Sequence, residues 1–224
     1  MKNLIQSTTE LAMSIVVQYI QPGCLIIDAT CGNGHDTLRL AESALCVSGS
    51  SKGSSSETSS GCRILGIDLQ EVSIENTCAL LIENGWHPQV LSSEWQNDSV
   101  PAADSAPILL AQTSHENIKS LAARFQQDVC LVVFNLGYLP GGDKTVTTDA
   151  GSTLAAVRSA LELLMRDGLV CITMYSGHPA GKKEKQALLD FAKELDARTY
   201  HVSYINMLNQ QNDPPEILLI TRKR

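Results

Sequence analysis

The chain has no Cys-x-x-Cys pair, and its cysteine count, seven, is odd. Both features argue against a disulfide framework or a zinc site. Cys31, Cys130 and Cys171 fall in apolar strands or turns and read as core thiols, and no metal ligands are expected. No apolar run approaches the ~20 residues that a membrane-spanning helix needs, so no membrane partner is expected. No signal peptide is evident, although the first motif lies close enough to Met1 for a longer precursor to have been trimmed. Positive charge is also in short supply: Lys and Arg number 17 against 24 Asp and Glu, a net charge of −7. Broad phosphate binding requires a Lys or Arg at each neutralised phosphate, so any contact with nucleic acid must be local. Lys182, Lys183 and Lys185 form one basic cluster and Arg222, Lys223 and Arg224 another. Each, taken alone, reads as solvated surface.

What remains is a chain of 224 residues, 43% hydrophobic and 18% charged, which suits one globular domain over residues 1–224. The stretch Leu25-Ile26-Ile27-Asp28-Ala29-Thr30-Cys31-Gly32-Asn33-Gly34-His35-Asp36-Thr37 organises it. Leu25 to Ile27 is a short apolar run that suits a strand covered on both faces. Gly32 and Gly34 permit positive φ and close approach of a ligand. Asn33, Asp36 and Thr37 can open a helix running to about Ala44. Such a loop aims several N–H groups at one point, where a ligand carboxylate fits.

Downstream, Ile64-Leu65-Gly66-Ile67-Asp68 is a second apolar strand ending in an acid, placed to accept bonds from both hydroxyls of a ribose. The separation from Gly34 to Asp68 exceeds the usual spacing of about 20 residues. A Ser/Gly-rich insertion from Val47 to Gly61 accounts for the excess and reads as a surface loop. A dinucleotide and S-adenosylmethionine both suit a strand, Gly turn, helix and strand-end Asp. The order Gly-x-Gly-x-x-Gly is missing, however, and Asp28 at the entry of the turn suits an ammonium group and repels a pyrophosphate. The expected cofactor is therefore S-adenosylmethionine.

The remaining elements follow in alternation. Leu4 to Ile20 has apolar residues at helical spacing and is expected to pack on the sheet edge and cover the ligand. A helix is predicted over Val72–Asn84, closed by Gly85. Gln89 to Pro107 is polar and reads as a second insertion. Ile108–Ala111 predicts a third strand, which delivers Gln112, Thr113, Ser114 and His115 to the same edge. His115 either contacts an adenine or caps a helix through Leu121. Val129–Phe134 is the most apolar run and predicts the central strand. A helix over Thr153–Arg166, a strand over Leu169–Met174 and a helix over Lys182–Leu195 follow. Tyr200–Met207 and Ile217–Thr221 predict a closing hairpin pair. This alternation gives an α/β, Rossmann-like architecture with a seven-stranded, mostly parallel sheet whose last strand is antiparallel. Ligands should lie beyond the carboxyl ends of the strands.

At the end of the central strand, Asn135-Leu136-Gly137-Tyr138 has the spacing of the Asn-Pro-Pro-Tyr motif of amino-methyltransferases. A methyl-accepting nitrogen must present its lone pair in line with the sulfonium. The Asn135 side-chain oxygen and a backbone carbonyl at Leu136 or Gly137 can accept its N–H bonds, and Tyr138 can stack on a flat ring. An alkyl amine titrates near ~10.4, so neutralising it at pH 7 costs roughly 4–5 kcal/mol. A dry pocket can supply much of that. His178 and Asp143 are candidate proton acceptors, read otherwise as a loop cap and a surface turn.

Taken together, Asp28–Thr37, Asp68-Leu69-Gln70, Ser114-His115, Asn135-Leu136-Gly137-Tyr138-Leu139-Pro140-Gly141-Gly142-Asp143-Lys144, Gly177-His178 and Asn212-Asp213-Pro214-Pro215 resemble a family first labelled rRNA methylase. That family is now associated with MnmM-like tRNA 5-aminomethyl-2-thiouridine methyltransferases. The resemblance covers nearly the whole chain apart from the two insertions. It implies a class I methyltransferase fold, S-adenosylmethionine as donor, and methylation of the aminomethyl nitrogen of a wobble uridine in the anticodon arm of tRNA. By matching positions, Asn33, Asp36, Asp68, Gln70 and His115 hold the cofactor, with Asp28, Thr30, Gly32, Gly34, Thr37, Leu69 and Ser114 around it. Asn135 and Tyr138 face the acceptor, and Asn135 also adjoins the donor. Thr113 stands where an acid is expected before Ser-His. The Ser-rich insertion is unlike compact bacterial members and suggests a eukaryotic version, such as a plant one, acting in a chloroplast or mitochondrion; a non-eukaryotic version is expected in the cytoplasm. A homodimer with a composite basic surface is a further expectation. The competing readings are a methyltransferase for exocyclic amines of rRNA or DNA, and a module that binds S-adenosylmethionine without turnover. An NAD(P) enzyme is disfavoured by the glycine order and Asp28.

Overall fold

The computed structural model describes residues 7–45, 61–92, 94, 96, 106–137, 149–211 and 213–223. Eight strands form one sheet: β1 (Leu25–Asp28), β2 (Arg63–Asp68), β3 (Gln89–Leu91), β4 (Ile108–Gln112), β5 (Val129–Leu136), β6 (Leu164–Met174), β7 (Tyr200–Ile205) and β8 (Glu216–Arg222). Their spatial order is β3-β4-β2-β1-β5-β6-β8-β7. All neighbouring pairs are parallel except β6–β8 and β7–β8. Among the described residues, six α-helices cover the faces: α1 (Thr8–Val16), α2 (His35–Leu45), α3 (Glu71–Glu83), α4 (Ile118–Ala122), α5 (Ala150–Leu163) and α6 (Pro179–Lys193).

The strands are apolar on both faces because helices cover both. In β1, Leu25 and Ile27 join the core beneath α4, α5 and α6, with Leu121, Val157 and Leu188. Ile26 points the other way, into the core beneath α1, α2 and α3, with Met13, Leu40 and Leu81. The period of two continues to the strand tips. In β5, Phe134 and Leu136 belong to the first core and Val133 to the second. Asn135 therefore emerges on the α1–α3 face.

Three expectations are corrected. The sheet has eight strands, not seven. The additional one, β3, lies inside the stretch read as an insertion. Only Gln89–Leu91 pair there, beside β4 at the edge, and three residues are too few for a readable alternation. Strand β6 begins at Leu164, within the predicted helix. Leu164 pairs with Val129 and pairing resumes at Leu169 with Leu131, so residues 165–168 bulge out; Asp167 takes φ 61°. The bulge breaks the apolar alternation that locates a strand. Finally, Cys130 is not a free thiol. It is bonded to Cys24, Cα–Cα 5.8 Å, because Cys24 leads into β1 beside β5. Cys31 and Cys171 are buried and free. Residues 47–60 of the Ser-rich insertion lie outside the described residues.

Candidate active site

The carboxyl ends of β1, β2, β4, β5 and β6 gather the polar residues. The turn after β1 is tied down from several directions. Asp28 is wholly buried. Its Oδ2 accepts a bond from the Thr37 hydroxyl at 2.7 Å and its Oδ1 one from the Thr30 N–H at 3.3 Å. Cys31 N–H donates to the Ile67 carbonyl at 3.0 Å. Gly32, at φ 54°, donates its N–H to Asp68 Oδ2 at 3.0 Å, and its carbonyl accepts from the Thr77 hydroxyl at 3.0 Å. Asn33 Oδ1 accepts from the Asn76 side chain at 3.0 Å. Gly34 sits at φ +84°, and a Cβ there would stand 2.8 Å from Thr77 Cα. Only glycine allows the turn to lie this close to α3.

Asp68 carries the second strand tip. Its Oδ1 accepts from the Gln70 N–H at 3.0 Å, which positions Gln70 at the start of α3. Leu69, between them, is exposed. Each Asp68 oxygen thus holds one backbone donor. A carboxylate has about four acceptor sites, so room remains for two ribose hydroxyls.

Just past β4, Thr113 donates its N–H to the Asp68 carbonyl at 2.8 Å, and its hydroxyl accepts from the Asn117 side chain at 2.8 Å. The residue standing where an acid was expected closes the local turn. Ser114, rather than His115, caps the 3₁₀ turn His115–Asn117, accepting from Glu116 N–H at 3.2 Å. The His115 ring packs edge-on against Phe134, with centroids 6.1 Å apart. Burial holds its pKa below the usual histidine value. Its Nε2 is buried and has no hydrogen-bond partner among the described residues. That orphaned polar atom is the kind of group a purine edge would satisfy.

Asn135 is fixed at both ends. Its backbone N–H donates to the Thr30 hydroxyl and its Nδ2 to Asp36 Oδ2, each at 2.7 Å. A carboxylate only accepts, so Asp36 dictates which way the amide faces and leaves Oδ1 as its accepting atom. A cleft beside it is lined by Thr9 and Met13 of α1, Asp36, Asn135 and Thr173. Helix α1 is clamped to α2 by Glu10 and Arg39, paired through both carboxylate oxygens at 2.9 and 3.1 Å.

Three carboxylates, Asp28, Asp36 and Asp68, converge on this edge. Burial, with the Asp36 and Asp68 charges adding to it, pushes the Asp28 carboxyl up to about 7. Burial first, then Asp28 and Asp68, drives the Cys31 thiol well above its usual value. The field suits a cation and opposes a pyrophosphate.

The structure therefore brings together Asp28, Thr30, Gly32, Asn33, Gly34, Asp36, Thr37, Asp68, Leu69, Gln70 and Asn135, with Ser114 and His115 just past the end of β4. His178 caps α6, its Nδ1 accepting from Gly181 N–H at 3.1 Å. Tyr138 and Asp143 lie outside the described residues. Sequence reasoning missed Asn76 and Thr77, which fasten the turn from α3. Ser73 and Thr77 are both fully buried one helical turn apart, and that spacing on an otherwise apolar face was the available signal. It also passed over Tyr175, which follows β6 directly.

A mostly parallel sheet with one antiparallel strand, and a glycine turn facing a strand-end acid, define a Rossmann-like methyltransferase. The chain belongs to the "Putative rRNA methylase" family, whose model matches residues 64–221. It is 29% identical, over 97% of its length and 70% of the relative's, to the Arabidopsis thaliana "tRNA (mnm(5)s(2)U34)-methyltransferase, chloroplastic". Among solved structures, a "putative rRNA-methylase" of Clostridium thermocellum superposes with a TM-score of 0.76 at 28% identity, covering 97% of this chain and 98% of that one. A Streptococcus mutans protein solved in complex with SAH gives 0.71 at 27% identity, with 99% of both chains covered.

Proposed function

We propose that this protein is an S-adenosylmethionine-dependent tRNA methyltransferase that converts 5-aminomethyl-(2-thio)uridine at the wobble position to the 5-methylaminomethyl form. The observation that carries the reading is the anchoring of Asn135. Its amide is turned by Asp36 so that Oδ1 can accept an N–H from an amine, beside a turn whose acids favour a cation. The kinship with the Arabidopsis tRNA enzyme along 97% of the chain supplies the substrate class.

S-adenosylmethionine supplies an electrophilic methyl group on a sulfonium. Asp68 would hold the ribose hydroxyls, Leu69 and His115 the adenine, and the Gly32–Gly34 turn the amino-acid end. Asp28 acts through the turn, since its carboxylate is fully buried beneath it. Asn135 Oδ1 orients the neutral amine so that its lone pair points at the donor. Fixing two reactants in this way can supply several kcal/mol of the barrier. The incoming amine carries a proton at neutral pH, and it must shed that proton before it can attack. Asp143 is the candidate acceptor; His178 could serve only by releasing the Gly181 N–H that its Nδ1 holds. We place the protein in a plant organelle, a reading supported by the Ser-rich insertion and by the chloroplastic relative.

Nucleoside mass spectrometry of bulk tRNA from cells lacking the protein tests the proposal. Accumulated aminomethyluridine is expected. Unchanged tRNA with an altered rRNA methylation profile would replace tRNA by rRNA as substrate. Cofactor binding with no methylated product in either RNA would leave a binding module.

A further inference from the structure

The geometry points to Tyr175 as the platform on which the flat ring of the acceptor base lies, an inference that rests on the methyltransferase reading above. Tyr175 follows β6 without a break, and its N–H donates to the Leu136 carbonyl at 3.1 Å, extending the β5–β6 ladder by one step. In that ladder Asn135 pairs with Thr173. Alternate residues of a strand share a face. Tyr175 therefore projects on the same side as Thr173 and Asn135, the side that carries Asp36, one step nearer solvent.

Two further observations place it at the mouth of the site. Gly137, two residues past Asn135, passes so close that a Cβ there would lie 3.3 Å from Tyr175 Cβ. The ring thus stands directly beside the chain that leaves Asn135. The Asp36 carboxylate, which holds the Asn135 amide at 2.7 Å, also acts on the Tyr175 phenol. Burial first and then that charge raise its pKa, so it stays a neutral, protonated ring. Tyr175 is 38% exposed, so part of its surface faces solvent. A base that brings its amine to Asn135 comes up against this ring. Every base has a π-face, so such a platform tolerates either RNA class; Asn135 then selects the amine.

The test uses the full-length protein with S-adenosylmethionine saturating, and two acceptors: an anticodon stem-loop carrying aminomethyluridine, and bulk rRNA. Tyr175→Ala, Tyr175→Leu and Tyr175→Phe are compared by single-turnover methylation, and by stem-loop affinity in the presence of S-adenosylhomocysteine. Alanine and leucine are expected to lower kcat/KM by about 5- to 150-fold, with phenylalanine restoring most of it. Calorimetric affinity for S-adenosylhomocysteine should stay within about twofold in all three, which separates loss of stacking from loss of fold. If the wild type methylates the stem-loop and alanine matches it, the platform is overturned while the function stands. If rRNA alone is methylated and alanine still loses rate there, the tRNA substrate is overturned and the platform stands. If leucine serves as well as phenylalanine, the role is filling space rather than stacking, and the inference fails.

Discussion

Along the β1–β2 side of the sheet's carboxyl edge, each strand-end acid already has protein donors. Asp28 holds Thr37 and Thr30, and Asp68 holds the N–H groups of Gly32 and Gln70. Along the β5–β6 side, Asn135 has one side-chain anchor, Asp36, and Tyr175 stands 38% exposed. The first half is a cradle whose shape is set before any ligand arrives. Its glycines and carboxylates secure one another, so a bound donor adds bonds to a finished frame. The second half is a tip with accepting capacity left over, as a site for a transient, bulky acceptor requires. Donor affinity and methyl transfer should therefore respond separately to mutation.

Asn135→Ala tests this separation most severely. Removing the amide that orients the amine should lower single-turnover methylation by about 10³-fold, roughly 4 kcal/mol of barrier. Calorimetric affinity for S-adenosylhomocysteine should hold within about twofold. An equal loss of both would show that the two halves are one unit, with the Asn135 side chain serving the donor side through Asp36.

The cradle should also leave a signature in the pH dependence of stability. Asp28 titrates near 3.8 when exposed and, driven by burial, near 7 in the fold. Between those values the folded chain keeps a proton that the unfolded chain has lost. Stability from this group therefore falls as pH rises from about 4 to about 7, and the penalty is complete above that. At 1.36 kcal/mol per pKa unit the total is of order 4 kcal/mol. Thermal melts of Asp28→Asn against wild type should show a difference that grows in favour of the variant across that window and then levels. A flat difference would mean that water or a counter-charge reaches the carboxylate.

Asp68→Ala follows in size. Losing the charge-assisted bonds to the ribose should cost roughly 1.5–3 kcal/mol of donor affinity, or about 10- to 150-fold in Kd for S-adenosylhomocysteine. Turnover at saturating donor should change far less. A fall in maximal turnover with unchanged Kd would move Asp68 out of the donor site.

The same contrast explains what could be read from the sequence. The cradle is local: Asp28, Gly32, Gly34 and Asp36 lie within nine residues, and Asp68 ends the next strand, so periodicity and turn chemistry exposed them. Even the surplus spacing to Asp68 was explained by one composition-biased stretch. What escaped depends on pairing between distant segments. Asn76 and Thr77 matter only because α3 lies against the turn. Tyr175 matters only because β6 lies beside β5. Cys24 and Cys130 meet only because β1 and β5 are neighbours. Strand β3 is three residues long and buries only Leu91, held by its place beside β4 rather than by its own pattern. Asn135 was legible as an acceptor contact, but its orientation by Asp36 required the α2 helix to be in place.

Helix α1 is where the two halves meet. Thr9 and Met13 reach the cleft beside Asn135 and Asp36, while Glu10 grips Arg39 of α2 with both oxygens. The pair is solvent-exposed, with side chains 37% and 50% accessible, so Arg39→Ala should cost only about 0.2–1 kcal/mol of stability. Its effect on rate is the sharper measurement. If α1 is only a cover over the sheet, methylation should follow the small stability loss and stay within about twofold of wild type. If α1 shapes the cleft that presents the amine to Asn135, single-turnover methylation should fall well beyond that, with the melting temperature and S-adenosylhomocysteine affinity almost unmoved. The second outcome is expected. The clamp reaches the acceptor side through the placement of α1, whereas the hydrogen bonds that fix the cradle run to α2, α3 and β2.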